Sequence, residues 1–285
     1  MKKLLLLGAT GMLGHVAYYY LKATGKYNIT NVVYRTKLND ESIILDITNR
    51  EATEKLIKSA NPDIILNCIG VLINGSQKYP ENAIYINAYF PHLLERIAAE
   101  INAKLIHIST DCVFSGLKGN YSESDIRDAD DMYGKSKGLG EIINDKDLTI
   151  RTSIIGPELK QNGEGLFHWF MKQSGEINGF SKAYWSGVTT LELAKAIDAT
   201  IEQNIIGLLH LTNGEKIAKY DLLSIFKEIW KVDKVQINLV EGKSIDKSLS
   251  RSVKKFKFIV PSYREMLFSQ KEFMKENKKL YAQYQ

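Results

Sequence analysis

Four consecutive leucines, Leu4 to Leu7, run directly into Gly8-Ala9-Thr10-Gly11-Met12-Leu13-Gly14, and an amphipathic stretch opens at Met12. This feature leaves few folds open. A short, wholly apolar run is a strand buried on both faces, which is the habit of parallel sheets. Gly8 permits a tight turn after that strand, Gly11 lets the backbone approach a pyrophosphate, and Gly14 lets the helix pack closely on the strand. The helix start adds unpaired amides and a positive dipole end. Thr10, Met12 and Leu13 complete the turn. A ligand-free glycine turn is the competing reading, and the position between an apolar strand and a helix at the very start of the chain favours the phosphate-binding one. A signal peptide fits less well, because the apolar run is short and lacks a small-residue cleavage region.

The same alternation continues. Strand-length apolar runs at 3–7, 31–34, 64–68, 104–109 and 148–155 interleave with helical patterns at 12–24, 51–59, 83–100 and 133–143. Parallel neighbours need crossover connections, so this order predicts an α/β fold, a doubly wound parallel sheet covered on both faces. After Gly156 the alternation weakens. Residues 157–183 hold Gly163, Gly165, Gly175 and Gly179 among aromatics and read as an insertion that covers a ligand. Helix and strand patterns return at 190–203 and 208–211. The expected division is a dinucleotide-binding domain of 1–156 plus about 184–212, with a smaller C-terminal substrate-binding lobe of 157–183 and 213–285.

Composition removes several function classes. The 38 Lys and Arg against 33 Asp and Glu give a net charge of +5, spread without the concentrated basic stripe that nucleic acid binding requires. No apolar run approaches the ~20 residues of a membrane span, so neither nucleic acid nor membrane is an expected partner. Cys68 and Cys112 are the only cysteines. They exclude a disulfide framework, and no Cys/His cluster has metal-ligand spacing, so no metal is expected. A reducing, cytoplasmic setting is the expectation. Both thiols sit at strand ends and read as buried packing residues; His107 reads as a core residue, and His168, beside Phe167 and Trp169, stands out in the insertion.

Two further segments carry chemistry. Ile106-His107-Ile108-Ser109-Thr110-Asp111-Cys112 ends a strand, and Tyr133-Gly134-Lys135-Ser136-Lys137 opens a helix. Tyr133 and Lys137 are four apart and share a helix face. An ammonium beside a phenol favours the phenolate and lowers its pKa from near 10, which makes tyrosine a usable general acid or base. A hydroxyl from the neighbouring strand end would hold a reacting carbonyl oxygen. At the end of the second strand, Arg35 and Lys37 stand where a carboxylate would select a ribose 2′-hydroxyl, so NADPH is favoured, with NADH the alternative. Solvated surface charges are the competing reading. Asp46-Ile47 is placed to meet the adenine edge.

The stretch from Ser109-Thr110-Asp111-Cys112-Val113-Phe114-Ser115-Gly116 through Gly119-Asn120-Tyr121-Ser122-Glu123 to Tyr133-Gly134-Lys135-Ser136-Lys137-Gly138-Leu139-Gly140-Glu141 resembles the extended short-chain dehydrogenase/reductases, and among them the dTDP-4-dehydrorhamnose reductase family. The glycine turn, Asn67-Cys68-Ile69-Gly70, Asn87-Ala88 and Arg151-Thr152-Ser153 extend the resemblance over most of residues 1–156. It implies a Rossmann-type sheet, Thr110, Tyr133 and Lys137 as catalytic triad with Ser109 a secondary hydroxyl, and Cys68, Ile69 and Gly70 at the cofactor. Asn87, Val71, Trp185 and Arg251 become candidate substrate contacts, the last by pairing with a nucleotide diphosphate. Cys112 departs from the family, which has tyrosine there. The implied activity is NAD(P)H-dependent reduction of the 4-keto group of a nucleotide-activated 6-deoxyhexose, either dTDP-4-dehydrorhamnose or a UDP-linked N-acetyl-4-keto-6-deoxyhexose, for surface polysaccharide synthesis. A UDP- or dTDP-linked sugar is the implied partner, and a homodimer is left open. Two alternatives stand beside this: an epimerase or dehydratase with retained NAD, and a non-catalytic NADP-binding regulatory subunit, since the chain also resembles the β subunit of methionine adenosyltransferase.

Overall fold

The computed structural model describes residues 1–284. Seven strands form the central sheet: β1 (Lys2–Leu7), β2 (Tyr27–Val33), β3 (Ile43–Ile44), β4 (Ile64–Asn67), β5 (Lys104–Thr110), β6 (Leu148–Thr152) and, returning late in the chain, Gly207–His210. Their spatial order is the late strand, β6, β5, β4, β1, β2, β3, and each neighbouring pair is parallel. Strand order therefore reverses beside β1, where an open α/β sheet offers a crevice at its carboxyl edge.

The pleat of β1 shows how the leucines build two cores. Leu4 and Leu6 face one side, with Val16, Ala17, Leu193 and Ile197. Leu5 and Leu7 face the other, with Ile57, Leu94 and Ile97. Helix α1 (Met12–Ala23) and a later helix, Thr190–Glu202, cover the first side; α2 (Arg50–Ala60) and the Phe90–Glu100 helix cover the second. Each fully buried leucine contributes on the order of 1.5–3 kcal/mol of transfer free energy.

The helical pattern at 83–100 starts earlier than its periodicity suggests. Short helices Ile73–Lys78 and Pro80–Ala83 precede it, and a π-helical turn at Ile84–Tyr89 leads into the α-helix. Such turns are found frequently at functional sites, and this one holds the buried Asn87. The helix expected at 133–143 stops at Leu139. The apolar run 148–155 divides at Ser153, because Ile154–Ile155 leaves β6 to pair with Val188–Thr189.

Elements outside the central sheet gather into small sheets of their own. Gly175–Phe180 pairs in parallel with Val235–Val240, and Ala183–Trp185 lies between Ile217–Ala218 and Ile245–Asp246. The chain therefore rejoins the central layers at Thr190, a few residues later than the expected 184. No helix of the described residues is long and apolar enough to cross a membrane.

Helix α1 meets β1 through the third glycine of the turn. A Cβ at Gly14 would stand 2.1 Å from the Gly8 carbonyl oxygen and 2.9 Å from Ala9 Cα, both backbone atoms. Gly14→Ala should therefore cost about 1–3 kcal/mol as an overpacked core position, read as a lowered urea midpoint with an unchanged m-value.

Candidate active site

A cleft of about 570 Å³ opens at the carboxyl edge of the sheet, walled by the α1 turn (Thr10, Gly11, Met12, Leu13) and the end of β4 (Cys68, Ile69, Gly70, Val71). Thr110 at the end of β5 and Tyr133 and Lys137 of the following helix line the same cleft. Residues far apart in the chain meet there because parallel strands all end at one edge. The first turn of α1 has Gly11 at its N-cap and no side-chain cap, so its amides face the cleft wall without a protein acceptor from that residue.

The Met132–Leu139 helix, α6 in a count that makes Ile73–Lys78, Pro80–Ala83 and Phe90–Glu100 α3 to α5, starts at Asp131, whose carboxylate accepts from Gly134 N at 2.8 Å. A Cβ at Gly134 would lie 2.2 Å from the Cys112 carbonyl oxygen. That glycine lets α6 touch the end of β5, and Tyr133 and Thr110 line one cleft. Thr110 Oγ1 also accepts from Cys112 N at 3.1 Å and contacts Asp111 Oδ1 at 3.1 Å.

Electrostatics at the cleft floor depart from the simple expectation. Desolvation pushes the Tyr133 phenol well above its usual range, with the Thr110 hydroxyl pulling against it. Lys137 Nζ points into the sheet, donating to the Ile108 carbonyl at 2.6 Å and lying 3.4 Å from His107 Nε2. Burial lowers the Lys137 pKa to about 8. The phenol therefore carries its proton at neutral pH. Burial also raises both thiols, Cys68 and Cys112, to about 12, which leaves them un-ionised.

Other predicted residues lie elsewhere. Asn87 is fully buried behind the wall: its side chain accepts from Val71 N at 2.8 Å, donates to Val71 O at 2.9 Å and reaches Ser136 Oγ at 3.1 Å, so it braces the wall instead of facing the cleft. Trp185 is buried against Tyr263, with ring centroids 5.6 Å apart, and has no free face for a sugar. Arg251 donates to the Phe258 carbonyl at 3.0 Å beside the Phe256 ring, away from the cleft. Arg35 is exposed at the end of β2, over the Tyr34 ring at 4.4 Å. Asp46 is exposed and bound to Thr48, while Ile47 is buried. His168 is a packing residue, hydrogen-bonded to Tyr284. Asp111, Glu158 and Gly165 line the cleft without having been singled out as site residues; the glycines of the insertion were the available signal for the last two.

The profile of the RmlD substrate binding domain family matches residues 1–257. The chain belongs to this family. It is 27% identical over 241 residues to a dTDP-4-dehydrorhamnose reductase of Aggregatibacter actinomycetemcomitans, covering 80% of this chain and 79% of that one. It is also 26% identical over 237 residues to methionine adenosyltransferase 2 subunit beta of Xenopus laevis, covering 78% and 70%. A dTDP-4-dehydrorhamnose reductase of Bacillus anthracis, solved in complex with NADP, shares the fold with a TM-score of 0.81 at 23% identity, over 96% of this chain and 99% of that one.

In this RmlD-family chain the helix bearing Tyr133 and Lys137 is tied to the sheet just past its end. Glu141 accepts from Arg151 Nε and Nη2, each at 2.7 Å, from Ser109 Oγ at 2.7 Å and from Arg127 Nη1 at 3.1 Å. Both partners of the Glu141–Arg151 pair are buried. Removing one member of such a pair strands the other charge. Arg151→Met should cost about 3–5 kcal/mol in urea unfolding, and adding Glu141→Leu should return most of that loss. Equal instability of the single and double variants would mean that shape, not charge, is what matters there.

Proposed function

We propose that this protein is an NADPH-dependent reductase of the 4-keto group of a nucleotide-activated 6-deoxyhexose, dTDP-4-dehydrorhamnose or a UDP-linked N-acetyl-4-keto-6-deoxyhexose. The observation that carries this reading is one cleft that joins an uncapped, glycine-led helix start to Thr110, Tyr133 and Lys137. The glycine turn fits a pyrophosphate, because Gly11 caps α1 without a side chain and Thr10 to Leu13 line the cleft. When bound, the nicotinamide group supplies the hydride.

The residues of the chain do the rest. Tyr133 holds a proton at neutral pH and stands where a carbonyl oxygen bound to Thr110 would receive it. Thr110 orients that oxygen. Lys137 offers an N–H donor at the cleft floor to the hydroxyls of the nicotinamide ribose. The loop holding Glu158 and Gly165 and the small sheets beyond residue 157 supply the material for a substrate lobe.

Tyr133→Phe should lower turnover by roughly a hundredfold or more while leaving NADPH affinity within about twofold. The assay is NADPH oxidation against a panel of dTDP- and UDP-linked 4-keto sugars. The likeness to methionine adenosyltransferase 2 subunit beta motivates a second reading, a regulatory subunit. NADPH binding without oxidation by any sugar of the panel would favour that one.

Arg35 at the β2 end is exposed and, among the described residues, pairs with no carboxylate, which leaves it available to a ribose 2′-phosphate. Arg35→Ala should raise the KM for NADPH roughly tenfold and leave that for NADH almost unchanged. Equal effects on the two cofactors would place Arg35 outside the binding site.

A further inference from the structure

His107 lies in the middle of β5, with Asn67 of β4 as its register partner, and both are wholly buried. Three polar contacts run in one direction from there. Asn67 Oδ1 accepts from Ile69 N at 3.1 Å, which leaves its Nδ2 as the atom that meets His107 Nδ1, also at 3.1 Å. An amide nitrogen can only donate, so His107 Nδ1 accepts and the ring proton resides on Nε2. That Nε2 faces Lys137 Nζ at 3.4 Å.

We propose that His107 is a positioning residue for Lys137: fixed by Asn67 as the Nε2–H tautomer, it turns a donor toward the lysine nitrogen and favours the amine over the ammonium. An ammonium has no lone pair to receive this N–H, whereas the amine has one and can still donate to the Ile108 carbonyl at 2.6 Å. Two neighbours, Cys68 and Glu141, would favour the ammonium when ionised. From β5 come His107 and the Ile108 carbonyl, from the β4 end the un-ionised Cys68, and from α6 the protonated Tyr133. Glu141, just past α6, favours the ammonium, but its carboxylate is engaged by Arg151 and Arg127. His107 itself is held neutral by burial, with Lys137 and His92 acting in the same direction. Burial acts in the same direction and lowers the Lys137 pKa to about 8.

The consequence for catalysis rests on the role given to Lys137 above. Its charge, and with it the grip on the nicotinamide ribose, would then change close to working pH instead of near 10. The test does not need turnover. In the full chain labelled with 15N at histidine, two-bond proton–nitrogen spectra should show His107 with a protonated Nε2 and a bare Nδ1 from pH 6 to pH 9. A protonated Nδ1 at any of these pH values would overturn the proposal, and this measurement needs no variant. The 13Cε titration of Lys137, identified by its loss in Lys137→Arg, should move upward by about one pH unit, tenfold in proton affinity, in His107→Phe. Asn67→Leu, which frees the tautomer, should move it in the same direction. An unmoved midpoint in folded His107→Phe would also overturn it. Absence of reductase activity alone would instead remove the functional reading and leave both titrations as stated.

Discussion

The buried pair between Glu141 and Arg151 joins the parts of this molecule that must not move relative to one another. Taking two charges out of water costs several kcal/mol per ion unless every lone pair and proton finds a partner. Here Ser109 and Arg127 complete the carboxylate, and Arg151 Nη1 donates to His210 Nε2 at 3.1 Å. The pair therefore links α6 to β5 through Ser109, to β6 through Arg151, and to the last sheet strand through His210. Thr110 follows Ser109 directly, so the hydroxyl at the cleft floor and the helix bearing Tyr133 are located by the same carboxylate.

That network also reaches the peripheral lobe. His210 Nδ1 donates to the carbonyls of Tyr121 and Ser250 at 3.1 and 3.0 Å, and Glu123 accepts from His210 N and from Ser252. Tyr121 pairs with Leu249 and stacks on Phe114 at 4.1 Å. The loop between β5 and α6 is thus where the sheet and the later segments share hydrogen bonds. Its contacts are directional, which suits setting an orientation more than supplying bulk stability.

Much of this was legible in the residues. Leu4 to Leu7 and the glycine spacing specify a buried strand, a turn and a helix because only that combination uses an all-apolar run and three small residues at once. The spacing of Tyr133 and Lys137 likewise fixes a shared helix face. Spacing does not carry depth, however. The lysine was expected to lower the phenol pKa, whereas Lys137 is turned toward Ile108 and His107 and desolvation raises Tyr133. Asn87 and Trp185 were misplaced for a related reason: a buried amide or indole has the same sequence appearance as one facing a ligand. Arg151 sits inside a strand pattern, and its partner Glu141 lies ten residues away across a chain reversal, so no periodicity connects them.

The wall of the cleft beside Met12 depends on segments still more remote. Glu158 Oε1 accepts from Gly165 N at 2.6 Å and closes that loop upon itself. The Glu158 backbone is in turn held from the other end of the chain, its N–H donating to Tyr284 Oη at 2.9 Å and its carbonyl accepting from Gln283. Tyr281, three residues before Tyr284, is buried against His15 of α1 with ring centroids 5.7 Å apart. The C-terminal turn therefore bridges the helix that begins at the glycine motif and the loop that faces it. A wall built from two chain regions more than 100 residues apart forms only when the elements that carry them have come together, so this side of the cleft is set by contacts that no local sequence pattern can show.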